Sequence, residues 1–191
     1  MGISVNETDS SAHEKKIRQA AMNMLARREY CRRELEDKLS QRFADSFAVT
    51  LVVNRLRTEN LQSDSRYVEA FVRSKIARGQ GFLKIQAQLL HKGIDEELFK
   101  NICLEMEIDW NTLAKQVASR KIFHRKPSNH RERSKIIRFL QYRGFTLAEA
   151  MKVPRLLESG PNFPLVYPNG NNGFDFYFQE HFEKLFIKIY N

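Results

Sequence analysis

A short pattern returns twice along this chain at nearly constant spacing, and it limits the possible fold more than any other feature. An aliphatic residue is followed four positions on by Leu and three further on by a basic residue at Leu35, Leu39 and Arg42. The pattern recurs at Ile85, Leu89 and Lys92, and again at Ile136, Leu140 and Arg143, offsets of 50 and 51. A period of this length marks a supersecondary unit that stacks on copies of itself. In the second and third copies Gly93 and Gly144 stand where a helix would end in a left-handed cap, followed by the apolar Ile94 and Phe145. The first copy has Phe43 instead.

Apolar residues around these copies keep helical spacing. Ile17, Ala20, Ala21, Met24 and Leu25 line one face, as do Val49, Val52, Val53 and Leu56, and then Leu98, Phe99, Ile102 and Met106. No clean alternation of period two occurs before residue 160. The chain is therefore expected to be all-α, with three tandem three-helix repeats forming an elongated modular array and an irregular C-terminal tail. The expected helices are Glu14–Arg28, Arg32–Arg42 and Asp45–Glu59; Asp64–Arg78, Phe82–Lys92 and Asp95–Glu107; Asn111–Ile122, Glu132–Arg143 and Leu147–Leu157. Residues 1–13 are expected to be disordered, with repeats over 14–60, 63–108 and 109–157 and a tail of unknown structure over 158–191. Thr146 and Glu149 have the spacing of a capping box. Four of the five prolines, Pro154, Pro161, Pro164 and Pro168, fall after residue 150, and Ser159 to Gly173 is turn chemistry throughout.

Charge is distributed as unevenly as the breakers. The net charge of +9 divides into +1 over residues 1–110, +10 over 111–155 and −2 over 156–191. Like charges gathered so densely repel one another unless an anionic partner relieves them, although a solvated loop with basic helix ends is the plainer reading. The segment contains Arg120, Lys121, Arg125, Lys126, Arg131, Arg133, Lys135 and Arg138. At 100° per residue Arg131, Lys135 and Arg138 share one helix face, while Ile136, Ile137 and Leu140 lie opposite. A smaller cluster, Arg27, Arg28, Arg32 and Arg33, lies in the first repeat, and the two clusters give the array two ends with which to hold an anionic partner.

Little points to catalysis or to a cofactor. Gly79-Gln80-Gly81 is only a GxG between two helical patterns and reads as a turn; no GxxxxGK[ST] phosphate loop occurs. The histidines at 13, 91, 124, 130 and 181 form no HExxH pair, and Cys31 and Cys103 form no CxxC. Asp95, Glu96 and Glu97 fall at an expected helix start, where the helix dipole accounts for them. Trp110 opens the seventh helix at a repeat junction, where packing between repeats competes with base stacking as its role. No apolar run approaches the roughly 18 residues of a membrane span, and the N-terminus has no signal-like apolar stretch. A cytoplasmic monomer with no cofactor, no metal, no enzymatic activity and no membrane association is expected.

Four strings, in this order and spacing, resemble the RecX family of recombinase regulators. They are RREYCRRELEDKL (Arg27 to Leu39), YVEAFVRSKIARGQGFLKIQAQLLHKGI (Tyr67 to Ile94), IDWNTLAKQVASRK (Ile108 to Lys121) and KIIRFLQYRGF (Lys135 to Phe145). The likeness covers about residues 14–157 and agrees with three tandem three-helix repeats. It implies binding to the RecA filament on single-stranded DNA, and inhibition of RecA's ATPase, strand exchange and SOS co-protease activities. The chain departs from the family at Cys31, where Ser or Thr usually caps the second helix; a thiol accepts hydrogen bonds poorly, and up to ~1 kcal/mol of local stability is expected to be lost. The tail beyond Glu158, with its aromatic run Phe174 to Tyr190, resembles nothing in the family, so its removal is expected to leave inhibition intact.

Two functions of different kinds remain open on sequence alone. One is a non-enzymatic RecA inhibitor that spans filament protomers through several weak contacts. The other is a general nucleic-acid-binding protein without RecA specificity, whose affinity would collapse with salt.

Overall fold

The computed structural model describes residues 4–122 and 127–158. Among these residues the structure is entirely helical: α1 (Ser4–Leu25), α2 (Arg32–Ser40), α3 (Ser46–Thr58), α4 (Asp64–Ala77), α5 (Phe82–His91), α6 (Glu96–Glu105), α7 (Trp110–Lys121), α8 (His130–Arg143) and α9 (Leu147–Glu158). The boundaries agree closely with the periodicity, with one exception. Helix α1 begins at Ser4, so the stretch expected to be disordered is helical from that residue onward. Ser4–His13 contains neither Pro nor Gly, so no breaker interrupts a helix there. Low hydrophobicity had hidden a stretch that nothing forbids from continuing the amphipathic helix behind it.

Each set of three helices encloses its own core. Ile17, Ala21, Leu35, Leu39, Val49 and Val53 are buried together in the first. Val68, Val72, Ile85, Leu89 and Phe99 fill the second, and Ala114, Ala118, Ile136, Leu140, Phe145 and Val153 the third. The repeated aliphatic pairs thus occupy the centre of every module. Local signals stop and start the helices as their residue types require. Gly93 and Gly144 adopt φ of +77° and +93°, and the following N–H groups, of Ile94 and Phe145, each donate back to a carbonyl five residues earlier, at 3.1 Å in both cases. Thr146 N–H donates to Glu149 at 2.8 Å and Glu149 N–H to the Thr146 hydroxyl at 3.3 Å, completing the capping box. Asp95 accepts from the N–H groups of Glu97 and Leu98 and so caps α6.

Cys103 is buried in the second core, and burial alone pushes its thiol up to about 12. At pH 8 the thiolate is then about a thousandfold scarcer than in a free cysteine. Alkylation of Cys103 by iodoacetamide, followed by peptide mass spectrometry, is expected to be slower by at least that factor in the folded protein than in urea. Comparable rates in both would show that the second core opens readily.

The modules meet through a repeated device that single-helix reasoning does not reveal. Helix α2 has no side-chain cap of its own, because Cys31 makes no such bond. Its thiol instead packs into the second module's core and points at the Lys92 carbonyl, 3.7 Å away. The missing acceptor comes from the next module: Asp64 accepts from Arg32 N–H at 2.8 Å. Helix α5 also lacks a side-chain cap, since its N-cap is Gly81. Here the third module supplies the acceptors. Gly81 N–H donates to the Arg143 carbonyl at 3.0 Å and Leu83 N–H to the Gly144 carbonyl at 2.9 Å. Of the three second helices α2, α5 and α8, only α8 caps itself, through Asn129 accepting from Glu132 N–H at 3.0 Å. The local deficit expected at Cys31 is thus met by a neighbour.

Both seams contain further fixed contacts. At the first, Arg66 pairs with Glu29 at 2.8 Å, Lys92 with Glu34 at 3.2 Å, and Gln62, 1% exposed, donates to the Tyr30 carbonyl and to Asp64. At the second, a Cβ on Gly81 would lie 2.5 Å from the backbone of Gly144, and one on Gly79 2.9 Å from Val117. The GxG motif is therefore a turn whose glycines also admit the third module. Trp110 packs on the second and third cores at once, its ring edge-on to Phe82 at 5.7 Å, so its place is between modules.

A candidate basic interface on the third module

The third module separates its packing surface from its charged one. Ile136 and Leu140 point into the core, whereas Arg131, Lys135 and Arg138 are exposed on the other side of α8. Among the described residues no carboxylate pairs with these three. Arg138 donates only to the Ser134 carbonyl, at 3.4 Å. Glu132, the nearest acid on the helix, is committed to the N–H and hydroxyl of Ser128, at 2.7 and 3.0 Å. Those bonds, more than the neighbouring Lys135, hold the Glu132 carboxyl below its ordinary range.

Tyr142 completes this face. It lies one turn beyond Arg138, is 77% exposed, and has Lys84 of the second module 4.7 Å from its ring centroid. An exposed aromatic ring beside cations is a combination suited to phosphates and bases together. Sequence reasoning missed Tyr142, although the i+4 step from Arg138 was there to be counted.

The other basic positions are distributed differently. Arg120 and Lys121 are exposed at the end of α7, with the Lys121 ammonium 5.7 Å from the Phe139 ring. Arg133 is exposed near the start of α8, and Arg125 and Lys126 lie outside the described residues. In the first module Arg28 pairs with Glu34 at 2.7 Å and stacks 3.6 Å over Tyr30, and Arg32 pairs with Glu36 at 2.9 Å. Arg33 lies against the Gly93 cap, leaving Arg27 exposed beside them. This second cluster sits at the seam between modules one and two, with half of its charge already matched. It is not a free end of the array.

No group of three His, Cys, Asp or Glu side chains that could hold a metal occurs among the described residues, and no described helix is long and apolar enough to cross a membrane. The arrangement is that of a tandem three-helix repeat protein with a basic, exposed face on its last module. Family models for the first, second and third three-helix domains of RecX match residues 18–56, 63–100 and 107–153 respectively. Among curated proteins, the regulatory protein RecX of Halorhodospira halophila is 37% identical over 139 residues, covering 73% of this chain and 86% of that protein. The regulatory protein RecX of Pseudomonas fluorescens is 39% identical over 131 residues, 69% of this chain and 84% of that protein. The crystal structure of RecX from Lactobacillus salivarius superposes with a TM-score of 0.67 at 23% identity, over 78% of this chain and 98% of that one, and so shares the fold. The chain belongs to the RecX family of regulatory proteins.

Proposed function

We propose that this protein is a negative regulator of RecA that binds the RecA filament on single-stranded DNA and lowers its ATPase, strand-exchange and SOS co-protease activities. Membership of the RecX family supports the choice of partner. The observation that carries the binding mode is the α8 face, on which Arg131, Lys135 and Arg138 are held outward by a buried aliphatic side and left without acidic partners among the described residues. A filament repeats its surface, so an array of linked modules gains avidity from several modest contacts at once. The protein acts on RecA's nucleotide site from outside, by making the filament's conformational cycle less favourable, and brings no catalytic group of its own.

Titration of the protein into RecA's single-stranded-DNA-dependent ATPase at physiological salt tests this reading. Inhibition is expected at substoichiometric to equimolar ratios to RecA, and it should survive salt that removes the protein from naked DNA. A protein that binds DNA at low salt and leaves the ATPase untouched at physiological salt is a general nucleic-acid binder. That outcome would refute the assignment.

A further inference from the structure

Helix α9 turns an unusual side to water. At 100° per residue Leu147, Met151, Arg155, Ala148, Lys152 and Leu156 follow one another around one half of it, and all six are exposed. Ala150, Val153 and Pro154 are buried on the other half. A surface helix ordinarily presents polar residues to solvent, yet here four of the six are apolar, with Leu147 54%, Met151 56% and Leu156 38% exposed. The remaining two, Lys152 and Arg155, are both basic, and no acid stands among the six. Glu149, at the edge of this side, is committed to the capping box by the N–H of Thr146 at 2.8 Å. The outer side of α9 is therefore an apolar strip with positive charge along its middle. Elsewhere the large exposed apolar residues of the first two modules are scattered: Phe47 on α3, Leu104 on α6, and Leu83 and Leu90 two turns apart on α5.

The chain that follows α9 has the complementary composition. From Phe174 to Tyr190 ten residues of 17 are apolar, and seven of those are aromatic. The first ten residues of that run, Phe174 to Glu183, contain Asp175, Glu180 and Glu183 and neither Lys nor Arg. Rings so closely spaced gain by leaving water, and acids among them favour a surface that is both apolar and positive. The run is also within reach. Between Glu158, the last residue of α9, and Phe174 lie 15 residues, which can extend to about 50 Å. With its 12 residues, α9 is only about 18 Å long. A tether of this length holds the run near α9 at a local concentration on the order of millimolar, so modest contacts suffice.

We propose that the outer side of α9 is covered by the aromatic run Phe174 to Tyr190 of the same chain, with rings against Leu147 and Met151 and with Asp175, Glu180 and Glu183 set towards Lys152 and Arg155. The run lies outside the described residues, and its fit is argued from the side of α9 that it would cover. The contact concerns α9 and not the basic face of α8. It goes beyond the regulatory reading, is compatible with inhibition that survives loss of the tail, and is tested without RecA.

Methionine oxidation reads the cover in the full chain. Met151 is exposed, whereas Met22, Met24 and Met106 are half-buried and serve as internal references. In dilute hydrogen peroxide, followed by peptide mass spectrometry, an uncovered Met151 is the first of the four to become sulfoxide. With about a tenth of the molecules open at any moment, a covered Met151 should react about tenfold more slowly. Phe176→Ser/Phe178→Ser/Phe182→Ser changes no described residue and should restore the fast rate, while helicity and Trp110 emission match the parent. Lys152→Glu/Arg155→Glu should do the same, and adding Glu180→Lys/Glu183→Lys to it should bring the slow rate back. Dilution of the parent on the order of a hundredfold should change nothing, because the contact is intramolecular. Fast oxidation of Met151 in the parent, or slow oxidation in the triple Ser variant, would overturn the cover. Protection that faded on dilution would assign the face to a second copy of the chain, and protection indifferent to both charge changes would remove the reason for choosing this face. Either result would overturn the proposal as well.

Discussion

Gly144→Ala is expected to lower the thermal midpoint of the protein by roughly 10 °C, about twice the effect of the same substitution at Gly93. Both glycines end the second helix of their module with positive φ, so both variants suffer the left-handed penalty of about 1–2 kcal/mol. They differ in what the new methyl group meets. At Gly93 it approaches the Cδ of Arg33 at 3.1 Å, and a long exposed side chain can move aside. At Gly144 it overlaps the Lys84 side chain at its root and comes within 2.6 Å of the Lys84 backbone nitrogen, inside the first turn of α5. Backbone cannot give way without separating the modules, which adds overpacking of about 1–3 kcal/mol. Each kcal/mol moves the midpoint of a chain this long by about 2–4 °C. Trp110 is the only tryptophan and sits at this seam, so its emission should shift to the red in Gly144→Ala and stay put in Gly93→Ala. Circular dichroism melts and fluorescence spectra of the two variants check the expectation. Equal losses would show that the glycines serve φ alone.

Reversal of Arg131, Lys135 and Arg138 to Glu should produce the largest functional loss. The helix is expected to survive, since Glu is a good helix former and the three side chains leave the Ile136–Leu140 packing untouched. Loss of three phosphate contacts to a single strand flattens the salt slope by about 2 units, and so weakens binding at 0.1 M salt on the order of 100-fold. Like-charge repulsion then adds to that loss. Inhibition of RecA's ATPase should fall in parallel, measured as the protein concentration needed for half effect. A folded triple variant that matched the parent in both assays would leave the α8 charge as mere solvated surface and send the search to Arg27, Arg28, Arg32 and Arg33.

The fold was legible because its determinants are local or periodic. The Leu35, Ile85 and Ile136 positions, the glycine caps and the Thr146–Glu149 box each declare themselves within a few residues, and the structure places all of them as their chemistry requires. What escaped is what joins residues distant in the chain. Asp64 looks like an ordinary first-turn acid of α4, and nothing near it reveals that it completes α2. The mismatch at Cys31 was visible, but the remedy lay 33 positions away. Phe43, which looked like a defect beside Gly93 and Gly144, is understandable once the seams are seen: Gly93 and Gly144 admit the preceding module's second helix, at Arg33 and Lys84, a role that no described helix asks of Phe43. The basic face of α8 was read correctly as a face because it lies on a single helix. Half of the Arg27–Arg33 charge turned out to be matched by Glu34 and Glu36, which no count of charges could tell.

Capping by the following module gives the molecule a direction in time as well as in space. A ribosome makes the chain from its N-terminus, so α2 emerges with the N–H of Arg32 still facing water until Asp64 has been added, and α5 waits in the same way for Arg143 and Gly144. Only the last module leaves the exit tunnel able to finish its own second helix, through Asn129. The array matures backward, each unit locked by its successor. Premature termination within the third module therefore leaves α5 unfinished in the second, and the shortened product loses more order than the missing residues alone account for.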